Sequence, residues 1–130
     1  MVRVVDANCL VRYLLRDDPE KADAIEKLFF SPDSTLIILD VIIAEVVWLL
    51  TTFYKIPKLV VIEKLVALLS FPCFQFNRSI IQNAFSYWKK HAVDFVDAYL
   101  VSYSMEKNIA GIYSYDRDFD KIKTLKRLEP

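Results

Sequence analysis

Acidic residues recur in this chain at the ends of apolar runs. Asp6 follows "VRVV", Asp116 closes "AGIYSYD", and Asp97 lies in "DFVDAYLVSY" one helical turn after Asp94. Glu45 stands inside the apolar segment "VIIAEVVWLL", between Ala44 and Val46. Carboxylates gathered at one site repel one another, which raises their pKa values and destabilises the fold unless something positive sits between them. Hard oxygen donors of this kind suit Mg²⁺ or Mn²⁺, ions that keep waters and bind phosphate oxygens. Such an ion can lower the pKa of water and neutralise charge on a scissile phosphodiester. The chemistry to expect from these acids, if they converge, is metal-assisted phosphodiester hydrolysis.

Each acid also has a plainer use. Asp94 and Asp97 have the spacing of a capping box, in which one side chain accepts helix N–H bonds and the other answers it. Asp18 and Asp40 read as plain helix caps. Asp118 and Asp120 read as solvated loop residues, with Asp118 placed to cap a short turn. Glu45 falls beyond the capping positions of its helix, and an acid with apolar neighbours is costly to desolvate without a compensating partner. Asp6 follows valines with no basic partner beside it, although Arg3 or Arg12 could fold back to it.

Other reaction classes fail on what they require. The single glycine, Gly111, leaves no P-loop, GxGxxG turn or GxSxG elbow. The only histidine, His91, follows Lys89 and Lys90 at a predicted helix end, where the helix dipole favours a cation. A Ser-His-Asp or Cys-His device is not supported. Cys9 and Cys73 lie far apart in apolar surroundings without metal-ligand spacing, which suits buried thiols in a reducing cytosol. Trp48, Tyr87 and Trp88 fall at helical core spacing, so stacking on bases is the lesser reading for them.

The elements that must position the acids follow from patterning. At 130 residues, 55% of them hydrophobic, the chain is expected to form one domain over 1–130 with a genuine core. Its 17 Lys and Arg equal its 17 Asp and Glu, so any nucleic acid must be held by a local basic rim. Arg3, Asp6 and Arg12 interrupt the N-terminal apolar stretch, and Asp40 and Glu45 interrupt the most apolar window, which argues against a signal peptide or a membrane span. "RVVD", "STLIILD", "CFQF" and "AGIYSYD" are short, β-branched or aromatic runs bounded by turn formers. They read as strands buried on both faces of a sheet. Helices are expected from about Asn8 to Leu15, from Asp18 with Pro19 at its first position, and over "VIIAEVVWLLTTFYK", "PKLVVIEKLVALLS", "NRSIIQNAFSYWKKH" and "VDFVDAYLVSYSMEKN". This order predicts an α/β fold, a mainly parallel central sheet flanked by helices. In such sheets ligands gather outside the carboxyl ends of the strands, the rim to which Asp6, Glu45, Asp97 and Asp116 would all be delivered.

These blocks also carry a family resemblance. "VVDANCLVRYLLRDDPEKADAIEKLF", Glu45 in "IIAEVVWLL", "DFVDAYLVSYSMEKN" and "IYSYDRDFDKI" resemble the successive blocks of a PIN domain, and in particular of the VapC toxins of toxin–antitoxin pairs. The likeness spans essentially the whole chain. It implies an Mg²⁺-dependent (or Mn²⁺-dependent) endoribonuclease of the cytoplasm. Asp6, Glu45, Asp97 and Asp116 match the family's acidic positions, and Asn8, Asp94, Ser114 and Asp118 its commoner supporting ones. Asp6, Asp97 and Asp116 are the principal metal ligands on this reading, with Glu45 completing the pocket through a bound water or by helping to activate it. Arg12, Arg16 and Arg117 are candidate RNA contacts. The resemblance further implies a homodimer and a small antitoxin partner, and the apolar helices around Glu45 and Val60 independently suggest a protein interface. Ser114 stands where threonine is frequent, and the near absence of glycine is unusual; neither departure touches an acid.

Two other classes compete. A catalytically idle PIN-like module that binds a protein would not need acids at all four positions. A receiver-type phosphoacceptor would need an acid cluster after the first strand and a lysine after a late one, where this chain has Asp6 alone and Asp116.

Overall fold

The computed structural model describes every residue from Met1 to Pro130, and the chain divides into two compact units, Met1–Asn77 and Arg78–Pro130. In the first unit, β1 (Val2–Val4), β2 (Thr35–Ile37) and β3 (Phe74–Gln75) form a parallel ladder in that order. Val4 lies opposite Ile37, and Leu36 opposite Phe74. Helices α1 (Ala7–Leu15), α2 (Pro19–Phe29), α3 (Asp40–Trp48) and α4 (Lys58–Leu69) occupy the crossovers. Parallel neighbours require such crossovers, and this is the α/β arrangement that the pattern of runs predicts.

Local chemistry starts and stops these elements. Asp6 and Asp18 both have extended backbones and give a side-chain oxygen to a helix N–H, that of Ala7 at 2.8 Å and that of Lys21 at 3.2 Å. Pro19, with its fixed φ, opens α2. Arg16 ends α1 in the left-handed region, φ 51°, with its N–H returned to the Arg12 carbonyl. Asp40, expected as a cap, is instead the first residue of α3, with Leu39 at the cap position. Its carboxylate accepts from the Asn77 side-chain amide at 3.1 and 3.2 Å.

Three other expectations are corrected. The run "VIIAEVVWLLTTFYK" is not one helix: α3 gives way to a π-helical turn over Leu49–Phe53, where the Thr51 hydroxyl donates to the Val47 carbonyl at 2.7 Å. Such back-bonding bends helices. β1 is not buried on both faces, since Val2 and Val4 are 59% and 61% exposed. As an end strand of its ladder it has only β2 beside it, whereas Leu36 in the middle strand is buried. Trp48, expected in the core, is 56% exposed. The interior of this unit is built from aliphatic residues of all four helices, among them Leu10, Ala22, Val46 and Leu65, and from an aromatic group joining Tyr13, Phe29, Phe71 and Phe74.

In the second unit, α5 (Arg78–Lys90) packs on α6 (Phe95–Glu106) through Phe95, whose ring meets Phe85 at 5.4 Å and Trp88 edge-on at 5.6 Å. The buried Ser102 hydroxyl donates to the Ile80 carbonyl at 2.6 Å, so its polarity carries no penalty. β4 (Ile112–Tyr113) pairs in parallel with β5 (Arg127–Leu128), and a 3₁₀ turn over Arg117–Lys121 lies between them. The sole glycine explains itself here. A Cβ on Gly111 would stand 2.7 Å from the Lys126 carbonyl oxygen, so β5 can approach β4 this closely only over glycine.

Candidate active site

The strongest convergence of acids lies in the second unit. Carboxylate oxygens of Asp97, Asp116 and Asp118 all fall within 4.8 Å of one another. Asp97 projects from the first turn of α6. Asp116 follows β4 and caps the 3₁₀ turn, its Oδ1 accepting the Asp118 N–H at 2.9 Å while its own N–H donates to the Ser114 hydroxyl at 2.9 Å. These two bonds fold "SYDRD" tightly, and the turn is anchored beneath by the buried rings and chains of Phe119 and Ile122. Lys121 fastens it from the other side: its ammonium lies 2.9 Å from Asp118 Oδ1 and donates to the Ala92 carbonyl, just ahead of α6, at 2.9 Å.

A second brace comes from the C-terminal strand. The Arg127 guanidinium takes both oxygens of Asp120, at 2.9 and 3.2 Å, together with the Ser114 carbonyl and the Glu129 carboxylate. Charge-assisted pairs of this fork geometry fix orientation as well as charge. They hold the Asp120 carboxyl below the usual carboxylate range and push Arg127 still further from deprotonation. Asp120 is thereby spent on structure.

Asp97 shows the electrostatic consequence of crowding. Burial raises its pKa first, and the neighbouring charges of Asp116, Asp94 and Asp118 raise it further, against a hydrogen bond from the Asp94 backbone that lowers it. That backbone bond is one half of the expected capping box. The other half is missing: Asp94 occupies the cap position with an extended backbone, yet its side chain bonds no helix N–H. Asp118, expected to be a solvated cap, is a member of the cluster, while Asp116 does the capping.

The remaining predicted residues belong to the first unit or to the surface. Asp6 caps α1, and Glu45 is an exposed residue of α3, so its charge does not bear the desolvation cost that its apolar neighbours suggested. Arg12 lies 4.0 and 3.9 Å from Asp17 and Asp18, distances of attraction without a hydrogen bond. Arg16 is paired more tightly, with Asp23 and with Glu26. Arg117 is exposed at the start of the 3₁₀ turn, within the acidic loop itself. Reading by residue type missed Lys121 and the ligand geometry of Asp118. The signal for Asp118 was the Asp-x-Asp spacing, which lets the first side chain accept the N–H of the second and fold both toward one point.

Chemically, Asp97, Asp116 and Asp118 gather three hard oxygen donors of the kind that small divalent cations take, and their mutual repulsion adds to burial in raising the Asp97 pKa. No helix is long and apolar enough to cross a membrane.

Comparison with solved structures finds similarity to Mycobacterium tuberculosis VapC20, described as a sarcin-ricin loop cleaving toxin, at 17% identity, a TM-score of 0.44 and full coverage of both chains. No curated protein matches. The model of the PIN domain family matches residues 3–125, running through both units and through every acidic block. The chain belongs to the PIN domain family.

Proposed function

We propose that the chain is a metal-dependent endoribonuclease that hydrolyses RNA phosphodiester bonds, and that it serves as the toxin of a toxin–antitoxin pair. The observation that carries this reading is the crowding of Asp97, Asp116 and Asp118 on one turn and one helix start, an arrangement that repels itself without a cation. Asp97 and Asp116 are assigned to hold Mg²⁺ or Mn²⁺, with Asp118 beside these two, and Asp6 is assigned as the third principal ligand. When bound, the ion supplies neutralisation of charge on the phosphodiester and acidifies water.

The chain's own groups have separable duties in this mechanism. Asp97, whose pKa is raised by burial first and by the charges of Asp116, Asp94 and Asp118 after it, would supply one carboxylate oxygen to the ion. Lys121 keeps Asp118 aimed and partly neutralised. Glu45 is assigned to the attacking water, a role for which its exposed position on α3 is suitable. Arg12, Arg16 and Arg117 are assigned to RNA phosphates, Arg117 being the least engaged by ion pairs. The module is taken as one PIN domain over 1–130, working in the cytoplasm as a homodimer, with a small antitoxin as its protein partner. Exposed apolar residues on α3 and α4, Val41 at 68%, Trp48 at 56% and Leu59 at 59%, support a protein interface.

The test is an RNA cleavage assay with Mg²⁺, Mn²⁺ or EDTA, comparing the unaltered chain with Asp6→Asn and Asp116→Asn. Cleavage that needs the metal and is lost in both variants is the expected result. Equal cleavage by all three proteins would point to a contaminant and remove the nuclease reading.

A further inference from the structure

A cavity of about 240 Å³ opens beside the start of α1, lined by Asn8, Val11, Arg12, Asp17, Leu49, Phe53 and Tyr54. Its composition is divided. One wall is apolar and aromatic, formed by Val11, Leu49 and the Phe53–Tyr54 pair, whose rings meet edge-on with centroids 4.9 Å apart. The rest of the lining is polar: an amide that donates and accepts, a guanidinium, and a carboxylate. Phe53 is 66% exposed at the end of the π-helical turn. A large ring held in water is unexplained by the packing of its own unit.

We propose that this cavity is a subsite for one unpaired RNA nucleotide, its base stacked on Phe53 and its edge read by Asn8 and Asp17. The inference rests on the ribonuclease reading and extends it to a preference for single strands. A nucleobase has the same division as the cavity, a flat aromatic face and a polar edge, and such bases are bound by stacking on aromatic side chains and by hydrogen bonds to the exposed edge. Arg12 supplies the phosphate contact. At 3.9 and 4.0 Å from its carboxylates it is attracted but not hydrogen-bonded to them, so its donors can turn to an incoming phosphate. Asp17, an anion, disfavours phosphate at its own edge and favours the N–H groups of a base, which sets the polarity of the nucleotide in the cavity. Asn8 is two residues beyond Asp6 on the same helix start, so a base seated here lies next to an assigned metal ligand. A duplex, its bases stacked inside, could not enter.

The experiment measures binding apart from cleavage. The full chain carrying Asp116→Asn, in EDTA, is titrated against a fluorescent single-stranded RNA hexamer and against a blunt RNA duplex of the same length, by anisotropy. Adding Phe53→Ala should weaken hexamer binding by roughly 5- to 100-fold, the range for loss of one stacked base. Phe53→Tyr should retain it, and Arg12→Ala should weaken it while flattening its dependence on salt. Unchanged hexamer affinity in Phe53→Ala, or a parent that binds the duplex as well as the hexamer, overturns the subsite. If Phe53→Ala instead halves the mass seen by light scattering and leaves RNA affinity unchanged, the cavity is a protein contact and the proposal fails. Metal-dependent cleavage by the unaltered chain is scored separately, so that the subsite can fail while the nuclease reading stands. Phe53-dependent hexamer binding by a chain that cleaves nothing would do the reverse.

Discussion

In the N-terminal unit, Asp6 and Asp18 each spend a side-chain oxygen on a helix N–H, and Glu45 stands apart in solvent on α3. In the C-terminal unit, Asp97, Asp116 and Asp118 face one another within 4.8 Å, and Asp94, at a cap position, caps nothing with its side chain. The same residue type thus does two kinds of work. An acid that only answers backbone N–H groups stabilises the apo chain, whereas acids that crowd one another also store repulsion, which Lys121 offsets at Asp118 and a bound ion would relieve further. Exposure does not separate the two groups, because both lie near the surface. What separates them is crowding: Asp116 and Asp118 also meet donors, the Asp118 N–H and the Lys121 ammonium, but with Asp97 they bring three carboxylates within 4.8 Å of one another.

The sharpest way to test this difference is to remove one acid from each group and assay cleavage. Asp97→Asn and Asp116→Asn should lower metal-dependent RNA cleavage by more than the 10- to 100-fold that changes outside the ligand shell typically cost. Asp18→Ala, although it removes a bonded carboxylate, should lower cleavage by the folded chain far less, because its carboxylate serves the Lys21 N–H and lies outside the crowded group. A fully active Asp97→Asn would show that the crowded acids are not the centre of reaction.

The next effect is on stability, and its sign depends on pH. Asp97 holds its proton more tightly in the folded chain than in the unfolded one, so folded stability is lost as pH rises through its folded pKa and the carboxylate ionises among its neighbours. Below the unfolded carboxylate range that loss is absent. Asp97→Asn should therefore raise the melting temperature of the metal-free protein at pH 7 and leave it unaltered near pH 3. Millimolar Mg²⁺ or Mn²⁺ should stabilise the unaltered chain at pH 7 by up to about 2.7 kcal/mol when the ion is at a hundred times its Kd, and Asp97→Asn should lose most of that gain. Calorimetric melts with and without EDTA check both statements. A melting temperature indifferent to the ion in the unaltered chain would argue that the cluster is only a solvated loop.

Much of this contrast was legible in the sequence, and the reasons for the remainder are specific. Asp18 followed by Pro19 announces a helix start because both residues act locally, and the structure obeys. The apolar runs ending at Asp6 and Asp116 announce strand ends for the same reason. The α/β class follows from the alternation of runs. What the pattern could not give was the outcome of competition. Asp118 joins the cluster because Asp116 accepts its N–H and Lys121 reaches both it and the Ala92 carbonyl, a choice made across 29 residues. After Trp48 the helix turns π-helical, with the Thr51 hydroxyl turned back onto the Val47 carbonyl, although apolar periodicity continues unbroken. Glu45 looked buried because its sequence neighbours are apolar, yet it takes the solvent face while Val46 and Val47 take the core. β5 lies in a polar stretch with no strand signature, held by Arg127 and by the close approach that Gly111 permits.

The smallest expected effect separates the two caps. Asp18 and Asp94 both hold N-cap positions with extended backbones ahead of helices of similar length, so position alone predicts equal losses on truncation. Bonding predicts otherwise. The Asp18 side chain accepts the Lys21 N–H, and Asp18→Ala should cost about 1 kcal/mol. The Asp94 side chain accepts no helix N–H and adds to the charge crowding Asp97, so Asp94→Ala forfeits no cap bond and relieves some repulsion. Its net effect on the metal-free chain should lie within about 0.5 kcal/mol of zero. The sign should move toward stabilisation at neutral pH and back as Asp97 becomes protonated in acid. Urea unfolding of both variants, at pH 7 and again near pH 3, reads this directly. A loss near 1 kcal/mol for Asp94→Ala at neutral pH would mean that Asp94 caps α6 in solution and belongs with Asp6 and Asp18, not with the crowded acids.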